Sequence, residues 1–207
     1  MNHIKNERFL SIAIFSLLFA YLLSFVFEGQ VLYSVIDAVG VELTIYIHIA
    51  IVAHFAGLFS CGFFVKTILM AKRTMLVAMV ICFISTLPFF FSPSVLWFVG
   101  LICSGYLGGC AVASWGFFLK TFTPKKERIK SCADVLIISN IIMIVINVIA
   151  INFTHTIGLL LSLLCLILGG VLITIIPIKA VTEIKEKPVQ EKECKSSISI
   201  RKPMLTT

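Results

Sequence analysis

Ionisable side chains inside long apolar runs are the residues of this sequence that could do chemistry. Glu28 lies in residues 24–36, which read SFVFEGQVLYSVI, with apolar residues on both sides. A carboxylate inside a membrane helix is costly and is by default a candidate functional group. His48 follows on the next apolar run, and a histidine–carboxylate pair could carry a proton. Two alternatives stay open: Glu28 faces a vestibule near His48, or Glu28 is solvated at the outer interface and His48 bonds a backbone carbonyl.

Amide and phenol side chains form a second group of candidates. Asn140 and Asn147 are seven residues apart, which is two helical turns, so they share one helix face. This spacing suits either the lining of a polar cavity or hydrogen bonds between helices. Tyr21 and Tyr106 are further candidates for a central cavity. The predicted substrate or proton pathway therefore contains Glu28, His48, Asn140, Asn147, Tyr21 and Tyr106.

Six apolar segments must position these side chains. Of 207 residues, 59% are hydrophobic and 13% are charged, whereas about a quarter are charged in a soluble domain. The segments cover about 9–36, 42–65, 74–91, 95–119, 132–152 and 156–178. Each is long enough to cross about 30 Å of hydrocarbon as a helix, and barrel strands would alternate and be shorter. We expect an all-α polytopic membrane protein, with a six-helix domain over 1–178 and a charged, flexible cytoplasmic tail over 179–207.

The basic residues predict the orientation of the helices. None of the 17 Lys and Arg falls in 9–65, 74–119 or 131–178. All of them therefore lie on one side of the bilayer, which the positive-inside rule makes cytoplasmic. We expect a multi-pass protein of the cell (inner) membrane with both termini in the cytoplasm. Nucleic-acid binding is excluded as a reading of the +7 net charge, because the charge is divided among short loops.

Sequence signatures of metal sites and enzymes are absent. The seven cysteines form no CxxC pair and have no histidine at zinc-ligand spacing. Motifs of serine hydrolases, zinc proteases and P-loop enzymes do not occur. We therefore expect no enzymatic activity, no metal and no cofactor.

Small residues repeat every four positions on two of the expected helices. The stripes are Gly105, Gly109 and Ala113; Gly100, Ser104 and Gly108; and Ala53, Gly57 and Cys61. Such stripes allow close approach of helix backbones and predict tight packing.

The loop after the second segment resembles a motif of the major facilitator superfamily, G-x-x-x-D-[RK]-x-G-[RK]-[RK]. Here Gly62 and the pair Lys72–Arg73 match, Lys66 replaces the Asp, the second Gly is absent, and the spacing is longer by two residues. With a near-absent third loop and a basic fourth loop, the chain resembles the amino-terminal half of such a transporter. The resemblance implies two three-helix repeats over 1–178 and alternating access by rocking.

The same loops supply candidates for a cytoplasmic gate: Gly62, Lys72, Arg73, Arg128 and Asp134. Asp134 falls in the first turns of the fifth helix, where a carboxylate suits the helix dipole. Two alternatives stay open for it, a pair with Lys72 or Arg73 across the gate and an exposed charge.

The expected function is secondary transport of a small solute by a half-sized or truncated chain in the lipid bilayer. Its partner would be a second six-helix half or a second copy of the chain. The alternative is a membrane sensor or scaffold domain without transport. Neither the substrate nor the coupling ion is encoded in a recognisable pattern.

Overall fold

The computed structural model describes residues 2–27, 29–40 and 44–176, and these residues form an all-helical bundle without strands. Six helical segments are long and apolar enough to cross a membrane, which fits a multi-pass membrane protein. The helices are α1 (Asn2–Tyr21), α2 (Gln30–Val39), α3 (Thr44–Phe64), α4 (Ile68–Thr86), α5 (Val95–Phe122), α6 (Arg128–Asn152) and α7 (His155–Ile175). Glu28 and the tail expected over 179–207 lie outside the described residues.

The first span is interrupted, whereas a single helix was expected over 9–36. A π-helix (Leu22–Val26) follows α1, and the amide of Phe27 closes it by donating to the carbonyl of Leu22 at 2.8 Å. At Gly29 the chain packs so tightly on the carbonyl of Ser24 that a Cβ would overlap it. Glycine is therefore required where the chain leaves the π-helix and α2 begins.

Helix α4 begins at Ile68, earlier than the start expected near residue 74. The side chain of Thr67 caps it by accepting the amide of Met70 at 3.2 Å. Lys72 and Arg73 consequently lie in the first turns of α4 and not in the preceding loop. The other spans begin and end within a few residues of their expected limits, because the apolar runs are bounded by Pro, Ser and charged residues.

The helices pack in two groups. In one group α5 lies between α3 and α4; in the other α1 contacts α6 and α7, and α2 contacts the same two helices. The groups join where α4 packs on α7 and α1 on α5. The predicted small-residue stripes lie at these contacts: a Cβ on Gly105 would overlap the carbonyl of Ala50, and one on Gly109 would overlap that of His54. The glycines thus set the short distance between α3 and α5.

Candidate functional site

Tyr21 is fully buried at the junction of α1, α4 and α5 and lines no open cavity. Its hydroxyl oxygen lies 2.8 Å from Thr86 Oγ1 and 3.4 Å from Ser104 Oγ. Thr86 Oγ1 donates to the carbonyl of Cys82 at 2.7 Å, so its single proton is used and the Tyr21 hydroxyl is the donor to Thr86. These hydroxyls join three helices through a closed polar cluster.

A second pair of hydroxyls lies within the π-helix and on α7. Ser24 Oγ and Ser162 Oγ are 3.1 Å apart, and both side chains are fully buried. Ser162 also donates to the carbonyl of Gly158 at 3.0 Å. The π-helix is therefore held on one side by the Tyr21 cluster and on the other by Ser162. Single π-turns inside α-helices frequently occur at functional sites.

The two histidines of α3, His48 and His54, have different surroundings, because six residues along a helix place them about 120° apart around its axis. His54 is buried, its Nδ1 lies 3.2 Å from the carbonyl oxygen of Gly105, and its ring meets Phe27 edge-on at 4.6 Å. His48 is exposed. His54 therefore acts as a packing residue between α3, α5 and the end of the π-helix, and the predicted proximity of His48 to Glu28 lies outside the described residues.

Exposed polar side chains at mid-helix lie on α5 and α6. Tyr106 is 36% exposed and its hydroxyl lies 2.8 Å from Ser60 Oγ, across the α3–α5 contact. Asn140 is exposed, and its amide donates to the carbonyl of Leu136 at 2.7 Å. Tyr106 is about 16 Å from the start of α5 and Asn140 about 18 Å from the start of α6. Both therefore fall well within the apolar part of their helices.

Asn147 lies two turns beyond Asn140 and is half-buried. Its Nδ2 is 2.9 Å from the sulfur of Met143 on the same helix. Its Oδ1 is buried and accepts no hydrogen bond from the described part of the chain. Such an acceptor is expensive to leave unsatisfied in an apolar surrounding, so Asn147 marks a place where water or a solute group would be stabilised.

The outward faces of α4 and α7 have a different composition. Between residues 75 and 83 on α4, and between 159 and 171 on α7, every exposed position is apolar. We refer to the exposed surfaces of α3, α5 and α6 that carry Ser60, Tyr106 and Asn140 as the polar face. The exposed surface of α4 and α7 over these residues is thus wholly apolar, whereas the polar face carries a few hydrogen-bonding groups among exposed apolar residues such as Phe59 and Ile141.

The basic residues that the structure describes lie at one end of the bundle, which we refer to as the basic end. Arg8 forms an ion pair with Glu127, donates from Nε to Ser131 Oγ at 2.9 Å, and has its Nη2 3.7 Å from Asp134 Oδ2. In the structure Asp134 is paired with Arg8, because α6 packs on α1, and a pair with Lys72 or Arg73 at a gate stays a prediction.

Two other basic residues cap helices. Lys72 Nζ donates to the carbonyls of Thr174 at 3.1 Å and Ile176 at 2.7 Å, at the end of α7. Arg128 donates from Nη2 to the carbonyl of Lys120 at 3.1 Å, and from Nε to that of Thr123 at 3.3 Å, at the end of α5. Cations at helix C-termini satisfy carbonyls and complement the dipole.

Gly62 and Arg73 are both exposed, and no atom lies within 4 Å of a Cβ built on Gly62. The five gate candidates accordingly lie at the basic end without forming one contact network. Among the residues that the structure describes, no group of three His, Cys, Asp or Glu side chains could hold a metal ion.

Several residues of these clusters were not among the sequence candidates, notably Arg8, Ser24, Thr86 and Ser162. Serine and threonine occur in apolar helices for packing as well as for hydrogen bonding, so their types alone do not distinguish the two. The signal that was present for Arg8 is its position at the start of an apolar run, where a basic residue reads first as a topology signal.

No protein-family model, curated protein or solved structure matches this chain.

Proposed function

We propose that the chain is a six-helix unit of a secondary transporter for a small solute, with the architecture of one half of a major facilitator. It lies in the cell (inner) membrane with both termini in the cytoplasm. The orientation is supported by the basic end: Arg8, Lys72 and Arg128 all lie there, and the positive-inside rule makes such an end cytoplasmic.

The packing of the helices supports two three-helix repeats. In such a repeat the first span (α1 with α2) corresponds to α5, α3 corresponds to α6, and α4 corresponds to α7. The first span's contact with α6 then becomes that of α5 with α3, and its contact with α7 becomes that of α5 with α4. All four contacts are present, and the α4–α7 and α1–α5 contacts map onto themselves. The α6–α7 contact has no equally close α3–α4 counterpart within the described residues.

The observation that carries the transport proposal is the polar face. Tyr106 and Asn140 present hydrogen-bonding groups at mid-helix, where lipid chains offer no partner. Polar residues at this depth usually face a bundle interior or a water-filled cavity. A second six-helix unit opposite this face would enclose such a cavity. That unit is a second copy of this chain or a separate half.

Transport is tested with the purified full-length chain in liposomes, alone and together with the product of any adjacent reading frame that encodes six spans. Solute uptake is measured with and without an imposed proton gradient, for a panel of sugars, amino acids, organic cations and organic anions. The proposal expects uptake that exceeds protein-free liposomes and falls for Asn147→Leu. Absence of flux for every solute in both configurations would contradict it.

A membrane scaffold or sensor is the second candidate, and the closed centre of the bundle favours it. Tyr21, Ser104 and Ser162 are fully buried, and the grooves between α4 and α7 and between α1 and α6 open at the surface. Solute uptake, measured beside cross-linking at the polar face, distinguishes the two functions. A scaffold pairs through the polar face without moving any solute, whereas a transporter both pairs and conducts.

A further inference from the structure

A groove of about 280 Å³ runs between α4 and α7, two helices that do not contribute to the polar face. Leu76, Val80 and Phe83 line it from α4, and Leu166, Gly170 and Val171 from α7. The walls are entirely apolar, and Gly170 leaves space in the wall, since no atom lies within 4 Å of a Cβ built on it. From Leu76 to Phe83 the groove extends about 10 Å along α4. This is the α4–α7 groove.

The basic end of this groove is bounded by a lysine. Lys72 lies one turn before Leu76 on the same face of α4, and Thr174 lies one turn beyond Gly170 on α7. The ammonium of Lys72 bonds the carbonyls of Thr174 and Ile176 and thereby spans the groove at its mouth. These two bonds use two of its three N–H donors, so one donor remains to be directed at a ligand.

Further positive charge surrounds the mouth. Arg73 and Lys66 are exposed beside it. The N-terminus of α4 is also here and its dipole favours an anion, whereas the C-terminus of α7, which Lys72 caps, has the opposite sign, so the net positive charge comes from the side chains. The apolar wall starts about 6 Å deeper than the lysine, measured along the helix axis. The site therefore combines cationic donors at the interface with a hydrocarbon-lined slot that opens directly above them.

We propose that the α4–α7 groove binds an anionic phospholipid, with one acyl chain in the groove and the phosphate at Lys72 and Arg73. Charge complementarity selects this occupant, because an apolar groove alone would accept any acyl chain. Basic pockets between membrane helices on the cytoplasmic side are a known form of anionic lipid site. The inference concerns two helices that do not contribute to the polar face and stands independently of transport.

The acyl-chain part of the site is tested by Gly170→Leu, which fills the groove. Gly116→Leu is the matched control, because Gly116 is exposed on α5 and has equal open space at its Cβ. The full-length chain is purified in mild detergent with phosphatidylglycerol, and bound phospholipid is counted by native mass spectrometry. We expect about one lipid per chain, at least tenfold less for Gly170→Leu, and no change for Gly116→Leu. Equal lipid retention by the two variants would overturn the site.

The headgroup part is tested by competition between phosphatidylglycerol and phosphatidylcholine. Each basic residue near the surface favours an anionic lipid about fivefold, so Arg73→Gln should reduce the selectivity by that factor. Lys130→Gln, an exposed lysine at the start of α6, is the charge control and should leave it unchanged. Lys72→Gln should also reduce the selectivity, but it removes the α7 cap as well, so Arg73→Gln decides. Equal selectivity in Arg73→Gln and the wild type would overturn phosphate recognition.

A change of oligomeric state in Gly170→Leu at unchanged lipid content would instead assign the groove to a second copy and overturn lipid binding.

Discussion

The hydroxyl oxygens of Tyr21 and Thr86 lie 2.8 Å apart, and this bond connects the end of α1 to α4 just before the π-helix begins. Tyr21→Phe removes the bond and leaves the Thr86 bond to the carbonyl of Cys82 in place. Hydrogen bonds between membrane helices contribute about 0.6 kcal/mol on average and up to about 1.7 kcal/mol. We expect Tyr21→Phe to lower the free energy of unfolding in detergent, as measured by circular dichroism, by about 0.5–1.5 kcal/mol.

Tyr106→Phe is the control for that measurement. It removes a hydrogen bond of equal length to Ser60, but at an exposed position, and Ser60 still donates to the carbonyl of Gly57 at 3.2 Å. The free energy of unfolding should therefore change by less than for Tyr21→Phe. Equal losses in both variants would show that the buried cluster adds nothing specific to the first span.

The spans could be predicted because length, hydropathy and the absence of Lys and Arg are properties of continuous segments. The break in the first span could not, since Leu22–Val26 is an ordinary apolar sequence. The π-turn depends on Gly29 packing against the Ser24 carbonyl and on Ser162 from the last helix. The partner of Asp134 could likewise not be predicted from spacing along the sequence, because Arg8 contacts α6 through the packing of two helices that are distant in the chain.

The close approach of α3 and α5 predicts a strong response to a single methyl group. In Gly109→Ala the new Cβ would overlap the carbonyl of His54, so the backbones must separate. Overpacking of this kind costs about 1–3 kcal/mol, and we expect unfolding in detergent to become easier by that amount. Gly116→Ala, on the same helix but with open space, should be neutral or stabilising by up to about 1 kcal/mol. Equal responses at the two positions would contradict the helix contact.

The ion pair between Arg8 and Glu127 ties α1 to the start of α6. The side chains are 19% and 49% exposed, so the pair should behave as a surface interaction worth about 0.2–1 kcal/mol. A double-mutant cycle with Arg8→Gln and Glu127→Gln measures this coupling energy, which should shrink as salt is raised. Asp134→Asn serves as the comparison, with a smaller coupling to Arg8 because its oxygen is 3.7 Å away. A coupling to Glu127 that does not respond to salt would contradict the surface assignment.

The proposed orientation predicts which loops can be labelled from outside the cell. In a chain whose seven native cysteines are replaced by alanine, Lys66→Cys and Ser92→Cys place single thiols in exposed turns at opposite ends of the bundle. A membrane-impermeant maleimide added to intact cells should label Ser92→Cys and spare Lys66→Cys until the cells are opened. The reverse pattern would place both termini outside and invert the positive-inside assignment.

Substitution of Asn140 tests whether the polar face meets lipid or faces a partner or a solute. Its amide bonds only its own helix within the described chain, so Asn140→Leu removes no contact between helices. If the polar face met lipid, the substitution would replace a polar group by an apolar one in hydrocarbon, and stability would rise with function unchanged. If the polar face borders a solute path, solute uptake into liposomes should fall severalfold at unchanged or increased stability. Ile141→Leu, an exposed apolar neighbour, controls for the helix position and should leave uptake and stability as they are. Because stability rises or stays level in either case, uptake is the measurement that decides, and its persistence at the wild-type rate would remove Asn140 from the transport path.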